Sequence, residues 1–326
     1  MIRLLQVELQ RLAARKVIWL TLIAAIAISG VVVGGVFMQA RSIDLARSGF
    51  DQQYQDMVQQ VEQDRASCKV EEERERRQSG DAGLDFGCDG ITAPTVEEMY
   101  PELPSLEEMY RQLLTGLAYP FMFLSLAMGS TGVAAEFAHR TMGAWLTFVP
   151  RRTPVFLSKV GAAGIASIPL AIAGLGVLLL GLPAVFRWFR LDDAVTGAQW
   201  VSLGWMSLRI IALTVFAGIF GAALAFVLRH SGLVIGAIVG YLVLIEGILA
   251  SILGWLSPYA LGHNISAVVQ HGTSWVTWNP NCNFDAQQNC EVVHTLSLTH
   301  GIIVLAVVLV GALLAGWARF FWSDID

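Results

Sequence analysis

The chain has 326 residues, of which 55% are hydrophobic and only 14% charged, and its mean hydropathy is positive. That balance excludes an ordinary soluble globular domain and places the chain among polytopic membrane proteins. The net charge of −5 averages two unlike regions: residues 40–112 hold 17 acidic and 8 basic side chains, a local −9, while the remainder carries +4.

A bilayer core about 30 Å thick needs roughly 20 helical residues to cross it. By that ruler the sequence predicts six spans, hence an all-α polytopic membrane protein with an N-terminal interfacial helix and an extracellular helical module between spans 1 and 2. Residues 1–16 place Ile2, Leu5, Leu9 and Leu12 on one helical face, with Arg3, Gln6, Gln10 and Arg11 elsewhere, the pattern of a helix lying along a membrane surface. The first span follows at 17–38. It is longer than a signal-peptide core and Met38, Gln39 and Ala40 form no small-residue cleavage site, so an uncleaved anchor is expected.

Residues 40–112 read as a hydrophilic exterior module. Phe50, Tyr54, Met57 or Val58, and Val61 recur at helical spacing, and the charge-dense run from Glu71 to Arg77 describes a solvated helical hairpin or arm. A further helix is expected to start after Ser105, with Glu108 three residues on as a capping box. Span 2 is predicted at 113–135, a cytosolic segment at 136–154, span 3 at 155–186, span 4 at 207–228 and span 5 at 232–255. Spans 4 and 5 are joined only by Arg229, His230 and Ser231, so they must be antiparallel neighbours. Residues 256–298 form a second hydrophilic loop without lysine or arginine, and span 6 covers 299–322.

Basic residues in the short flanks set the orientation. Arg3, Arg11, Arg15 and Lys16, then Arg140, Arg151, Arg152 and Lys159, then Arg229 and Arg319 fall on one side; Arg187, Arg190 and Arg209 fall on the other. Both termini are therefore expected in the cytoplasm, in a multi-pass cell-membrane protein. Cys68, Cys88, Cys282 and Cys290 then all lie outside, where disulfides persist. Four cysteines allow three connectivities, and the spacing favours two local loops.

The chain has no phosphate-binding G-x-x-x-x-G-K-[ST] loop, no H-E-x-x-H and no cysteine/histidine cluster at zinc spacing, so neither catalysis nor a metal site is expected in it. Nothing in it points to nucleic acid. The segment after span 2 differs in kind. Phe137, Thr141, Met142, Trp145, Leu146 and Val149 recur at spacings of three and four and give a helix an apolar face, with His139 and Arg140 off it. Thr153 and Pro154 supply an N-cap and a first-turn proline for span 3. Read without further context, this is an anchoring interfacial helix or a transmission element.

Glu136, Arg140 with Thr141, Pro150 with Arg151 and Arg152, and Lys159 resemble the E-x-x-x-G-T, P-x-R-R and K pattern that follows the second span of ABC-2 type exporter permeases. The basic amphipathic N-terminus, the six spans and the run from Gly221 to Gly232 through the span 4 to 5 turn extend the resemblance over the whole membrane part. Two departures stand out: Arg140 replaces the glycine before the threonine, and the cysteine-bearing 40–112 module is not a general feature of the family.

The resemblance implies a coupling helix over residues 137–148, docking into separate ATP-binding cassette ATPase subunits. It also implies a second permease chain, either a copy of this one or a paralogue, with ATP and Mg held by the partner and no cofactor in this chain. Glu136 would sit at the hinge, pairing with Arg140 at i+4 or with a neighbouring basic residue. Arg151 and Arg152 would flank the docking helix.

Glu246 is the one carboxylate deep in a span, where an acidic side chain costs roughly 2.5–3.5 kcal/mol unless it faces protein or water. Counted from the turn at His230, Arg209 lies about five residues higher, or roughly 7.5 Å of rise. A structural pair between the two, a substrate-pathway role and proton coupling all stay open. A reading of another class, a receptor or assembly scaffold whose acidic, disulfide-braced exterior binds a partner, is compatible with the same residues.

Overall fold

The computed structural model describes residues 2–81, 83–95, 104–148, 151–191, 195–278 and 290–323. The chain divides into two compact units, one of Met1–Val33, Leu106–Pro183 and Ala194–Asp326, the other of Gly34–Ser105 and Ala184–Asp193.

Helix α1 (Ile2–Ala13) precedes α2 (Lys16–Ser79), α3 (Leu106–Ala138), α4 (Thr141–Phe148), α5 (Arg152–Trp188), α6 (Gly197–Leu228) and α7 (Ser231–Tyr241). A π-helical stretch, Leu242–Leu249, continues α7, and a 3₁₀ stretch, Gly254–Tyr259, leads into α8 (Leu261–Gln270). Strands β1 (Thr273–Trp278) and β2 (Glu291–Leu296) form an antiparallel hairpin in which Thr273 faces Leu296 and Trp278 faces Glu291, and α9 (Leu298–Trp322) follows.

Among the described residues six helices are long and apolar enough to cross a membrane: Lys16–Leu45, Leu106–Ala138, Arg152–Trp188, Gly197–Leu228, Ser231–Leu249 and Leu298–Trp322. The protein is thus an all-α polytopic membrane protein, with one small hairpin.

Most of these helices outrun the stretches marked by hydropathy alone. Helix α2 passes the end of the apolar run at Met38 and stays helical to Ser79, because its polar part carries its own support. Glu72 and Arg76, and Glu73 and Arg77, pair one turn apart at 2.7 and 2.9 Å. Helix α2 ends where Gly80 takes φ 70 and donates its N–H to the Arg76 carbonyl, the left-handed stop that glycine adopts without steric cost.

Residues 83–95 fold back along this helix. They are held by the Cys68–Cys88 disulfide and by Asp89, whose carboxylate takes Arg65 at 2.9 Å and Lys69 at 2.7 Å. Cys290 is disulfide-bonded too, while Cys282 lies outside the described residues.

In the first unit, α3 and α6 approach at backbone distance. Gly129 faces the Gly218 carbonyl, Gly221 faces the Leu126 backbone, and at neither glycine is there room for a side chain. Small residues at a helix crossing bring polar backbone and dispersion contacts into play where lipid offers no hydrophobic driving force. The same crossing buries Ser125, whose hydroxyl lies 2.7 Å from the Thr214 carbonyl and 2.6 Å from the Ser167 hydroxyl of α5. Helix α6 starts with a full capping box between Thr196 and Gln199. It ends at Arg229, φ 55, and His230 caps α7 by accepting the Gly232 N–H on Nδ1 at 3.1 Å.

Candidate functional site

Three basic residues of the first unit, Arg11, Arg15 and Lys159, gather around two buried carboxylates. Glu8, Glu136 and Lys159 are each 4% exposed. Lys159 of α5 donates to Glu136 of α3 at 2.5 Å and to Glu8 of α1 at 2.9 Å. Arg15 donates to Glu136 at 3.1 Å and to the Gly132 carbonyl at 2.8 Å, and Arg11 closes on both carboxylates at 3.8 and 3.9 Å.

Two anions against three cations, with each carboxylate reached by more than one donor, is the arrangement that lets charges stay ionised out of water. The apolar face of α1 seats on the same two helices: Leu12 fills the space left by Gly132 and Leu5 approaches Gly161.

The pairing of Glu136 with Arg140 at i+4 does not form. Helix α3 ends at Ala138, and Arg140 turns into the left-handed region at φ 51, exposed and on the wrong side for a helical pair. This conformation costs a non-glycine residue about 1–2 kcal/mol and explains why a glycine suits the position. Thr141 bridges the turn, its hydroxyl donating to the Glu136 carbonyl at 3.3 Å.

The helix expected over 137–148 is accordingly α4, starting at Thr141, with Phe137 left in α3. Met142 is fully buried and anchors α4. Trp145 and Leu146 lie in α4, but their side chains, like Val149 and Pro150, fall outside the described residues.

Beyond this turn, helix α5 starts at Arg152, one residue before the expected cap. Arg152 donates through Nη1 to the carbonyls of Phe320, Phe321 and Ser323 at 2.8–3.0 Å, satisfying the orphan acceptors at the C-terminus of α9. Thr153 accepts from the Trp317 indole at 3.1 Å. Arg151 is exposed.

Arg229 bonds to the Ser323 hydroxyl and lies over the Phe137 ring, 5.4 Å from its centroid. Beneath it Phe137, Phe156, Phe226 and Phe320 form a cluster with ring centroids 4.8–6.5 Å apart, one ring from each of α3, α5, α6 and α9. Aromatic packing and charge pairing thus join α1, α3, α5, α6 and α9 at one end, with α4 and its flanking turns mounted on it.

Glu8 and Arg15 were not singled out by periodicity, yet a signal existed. Glu8 stands on the same face of α1 as Leu5 and Leu12. A carboxylate on an apolar face must find a cation there.

Glu246 and Arg209 are also brought to different partners than their heights suggest. Arg209 donates to the Val269 carbonyl at 3.2 Å, in the last turn of α8, and no ion pair joins it to Glu246 among the described residues. Glu246 instead accepts the Gly262 N–H at 3.1 Å on either oxygen, and the Tyr241 hydroxyl hydrogen-bonds to it. The cause is the π-helical stretch Leu242–Leu249, which changes the residue count per turn and carries the carboxylate toward the start of α8.

His263, next to it, stacks on Trp275 at 4.3 Å, and Trp275 stacks on His294 at 5.3 Å. Burial pushes the His263 pKa down from its ordinary 6.5, with the Glu246 charge opposing. No protein-family model, curated protein or solved structure matches the chain.

Proposed function

We propose that the chain is the permease subunit of an ATP-driven exporter, forming a transmembrane pathway with a second permease chain and coupling to a separate ATP-binding cassette ATPase. The observation that carries this reading is the buried group of Glu8, Glu136, Lys159 and Arg15. It fixes α1 to the ends of α3 and α5, the two helices that flank α4. A short helix mounted between two spans and braced by buried charge moves them together when pushed, which is what a transmission element between a motor subunit and a membrane bundle requires.

On this reading α4 and the exposed Arg151 face the ATPase, both termini lie in the cytoplasm of a cell-membrane protein, and the disulfide-braced 40–112 region lies outside. The assignment of sides follows the excess of arginine and lysine at this end.

The test is purification of the tagged chain from its native membrane. An ATP-binding cassette ATPase should co-purify in stoichiometric amount. Its hydrolysis should respond to Glu136→Gln with assembly retained. Recovery of the chain without such an ATPase would contradict the reading and favour a receptor or scaffold.

A further inference from the structure

An apolar cavity of about 350 Å³ lies among α3, α6, the α7 to π-helix junction, α8 and α9. Its wall includes the rings of Tyr119, Phe123, Phe216, Phe220 and Tyr241, with Leu261 at the start of α8. That volume and lining suit a drug-sized apolar body. Two hydrogen bonds place a charge at its edge. Tyr241 lines the cavity and bonds to Glu246, and Gly262, next to the lining Leu261, donates to the same carboxylate. Tyr119 closes the circuit, its hydroxyl meeting the Gly262 carbonyl at 3.1 Å and Ser266 at 2.7 Å.

No basic side chain lines the cavity among the described residues, Arg209 is held by the Val269 carbonyl, and burial disfavours the charged form of the adjacent His263. Polar donors thus converge on the Glu246 carboxylate beside an aromatic, apolar space, and among the described residues no lysine or arginine lines that space. Such a space attracts a ligand that brings both an apolar body and a positive charge. Aromatic faces add cation–π attraction, and a charge in a span that is left for a ligand to neutralise marks a binding site.

We propose that this cavity binds amphipathic organic cations, with Glu246 as the charge that selects them and the rings of Tyr119, Phe216 and Tyr241 as the apolar cradle. The inference deepens the permease reading by naming a cargo class, and rests on it for the claim that the ligand is cargo.

The experiment uses the full chain in nanodiscs and equilibrium dialysis of two ions of one shape and opposite charge, tetraphenylphosphonium and tetraphenylborate, with binding to protein-free nanodiscs subtracted. Across a separation of about 8 Å in a partly wet interior, the carboxylate should favour the cation roughly tenfold or more. Glu246→Gln should erase that preference, Glu246→Asp should keep most of it, and Ile238→Trp, which fills the cavity, should weaken both ions. Equal binding of the two ions by the wild-type chain would overturn the proposal, and so would unchanged cation binding by Glu246→Gln. Should Glu246→Gln fail to fold, the choice the wild-type chain makes between the two ions still decides. Because dialysis needs no ATPase, a positive result with a chain that recruits none would sink the permease reading and leave the site standing.

Discussion

Asp89 and Glu136 are the same chemical device in two settings. Each carboxylate holds several basic side chains, Asp89 taking Lys69 and Arg65, Glu136 taking Lys159, Arg15 and Arg11. The Asp89 side chain is 80% exposed and the Glu136 side chain 4%. In water an ion pair mostly exchanges one solvation for another, so the strap around Asp89 needs a covalent partner, the Cys68–Cys88 bond, to hold its place. Out of water the same charges cannot be separated without leaving one of them stranded. Exposed charge at Asp89 thus holds its partners loosely, whereas the buried charge at Glu136 ties three helices together.

The comparison is broken most severely at Lys159. Lys159→Met leaves Glu8 and Glu136 buried with only partial compensation, and should cost about 3–5 kcal/mol in detergent unfolding. The triple change Glu8→Gln, Glu136→Gln, Lys159→Met removes charge from both sides and should recover much of the loss. A loss no larger than that of a surface pair would show that the cluster is solvated. Next in size, Cys68→Ser with Cys88→Ser opens a loop of sequence separation 20 and should loosen the strap by about 3 kcal/mol. Hydrogen exchange should rise over residues 80–95, with protection of α3 and α6 unchanged.

Arg140→Gly should raise stability by about 1 kcal/mol or less, since it relieves a left-handed residue that contributes no ion pair among the described residues. An unfolding midpoint that falls instead would reveal a contact of the guanidinium. Smallest is Asp89. Its flanking Lys69 and Arg65 hold its carboxyl at about 2, below the ordinary 3.8. The folded-state value being the lower one, the contribution is complete above pH 3.8 and is lost as pH falls through 2. At neutral pH and physiological salt Asp89→Asn should leave the unfolding midpoint within error. A marked pH dependence between 4 and 2 that survives Asp89→Asn would assign the acid sensitivity to another group.

Hydropathy made the six spans legible, because a stretch of some 20 apolar residues admits few other structures. It could not show that α2 continues to Ser79 or that α6 begins at Gly197, since those turns are held by pairs and caps rather than by apolar surface. Glu136 stood out in the sequence, with Arg140 or another basic residue as its expected partner, but which basic residue it meets was not readable. Lys159 and Glu8 are distant in sequence, and the i+4 candidate was removed by the turn at Arg140. The Glu246 to Arg209 pair failed for a similar reason. Counting rise along straight helices assumes regular α geometry and a free arginine, whereas the chain turns π-helical at Leu242 and Arg209 caps α8. In each case the residue type announced that a partner was required, and only the fold decided which.

For the proposed exporter, the most direct measurement is ATP turnover of an ATPase co-purified with the chain from native membranes, wild type against Glu136→Gln, with the amount of bound ATPase determined alongside. If the buried charge couples α4 to α1, α3 and α5, the variant retains its ATPase partner while cargo-stimulated hydrolysis falls by roughly tenfold or more, the scale of a lost charged hydrogen bond. Stimulation equal to that of the wild type would contradict the account.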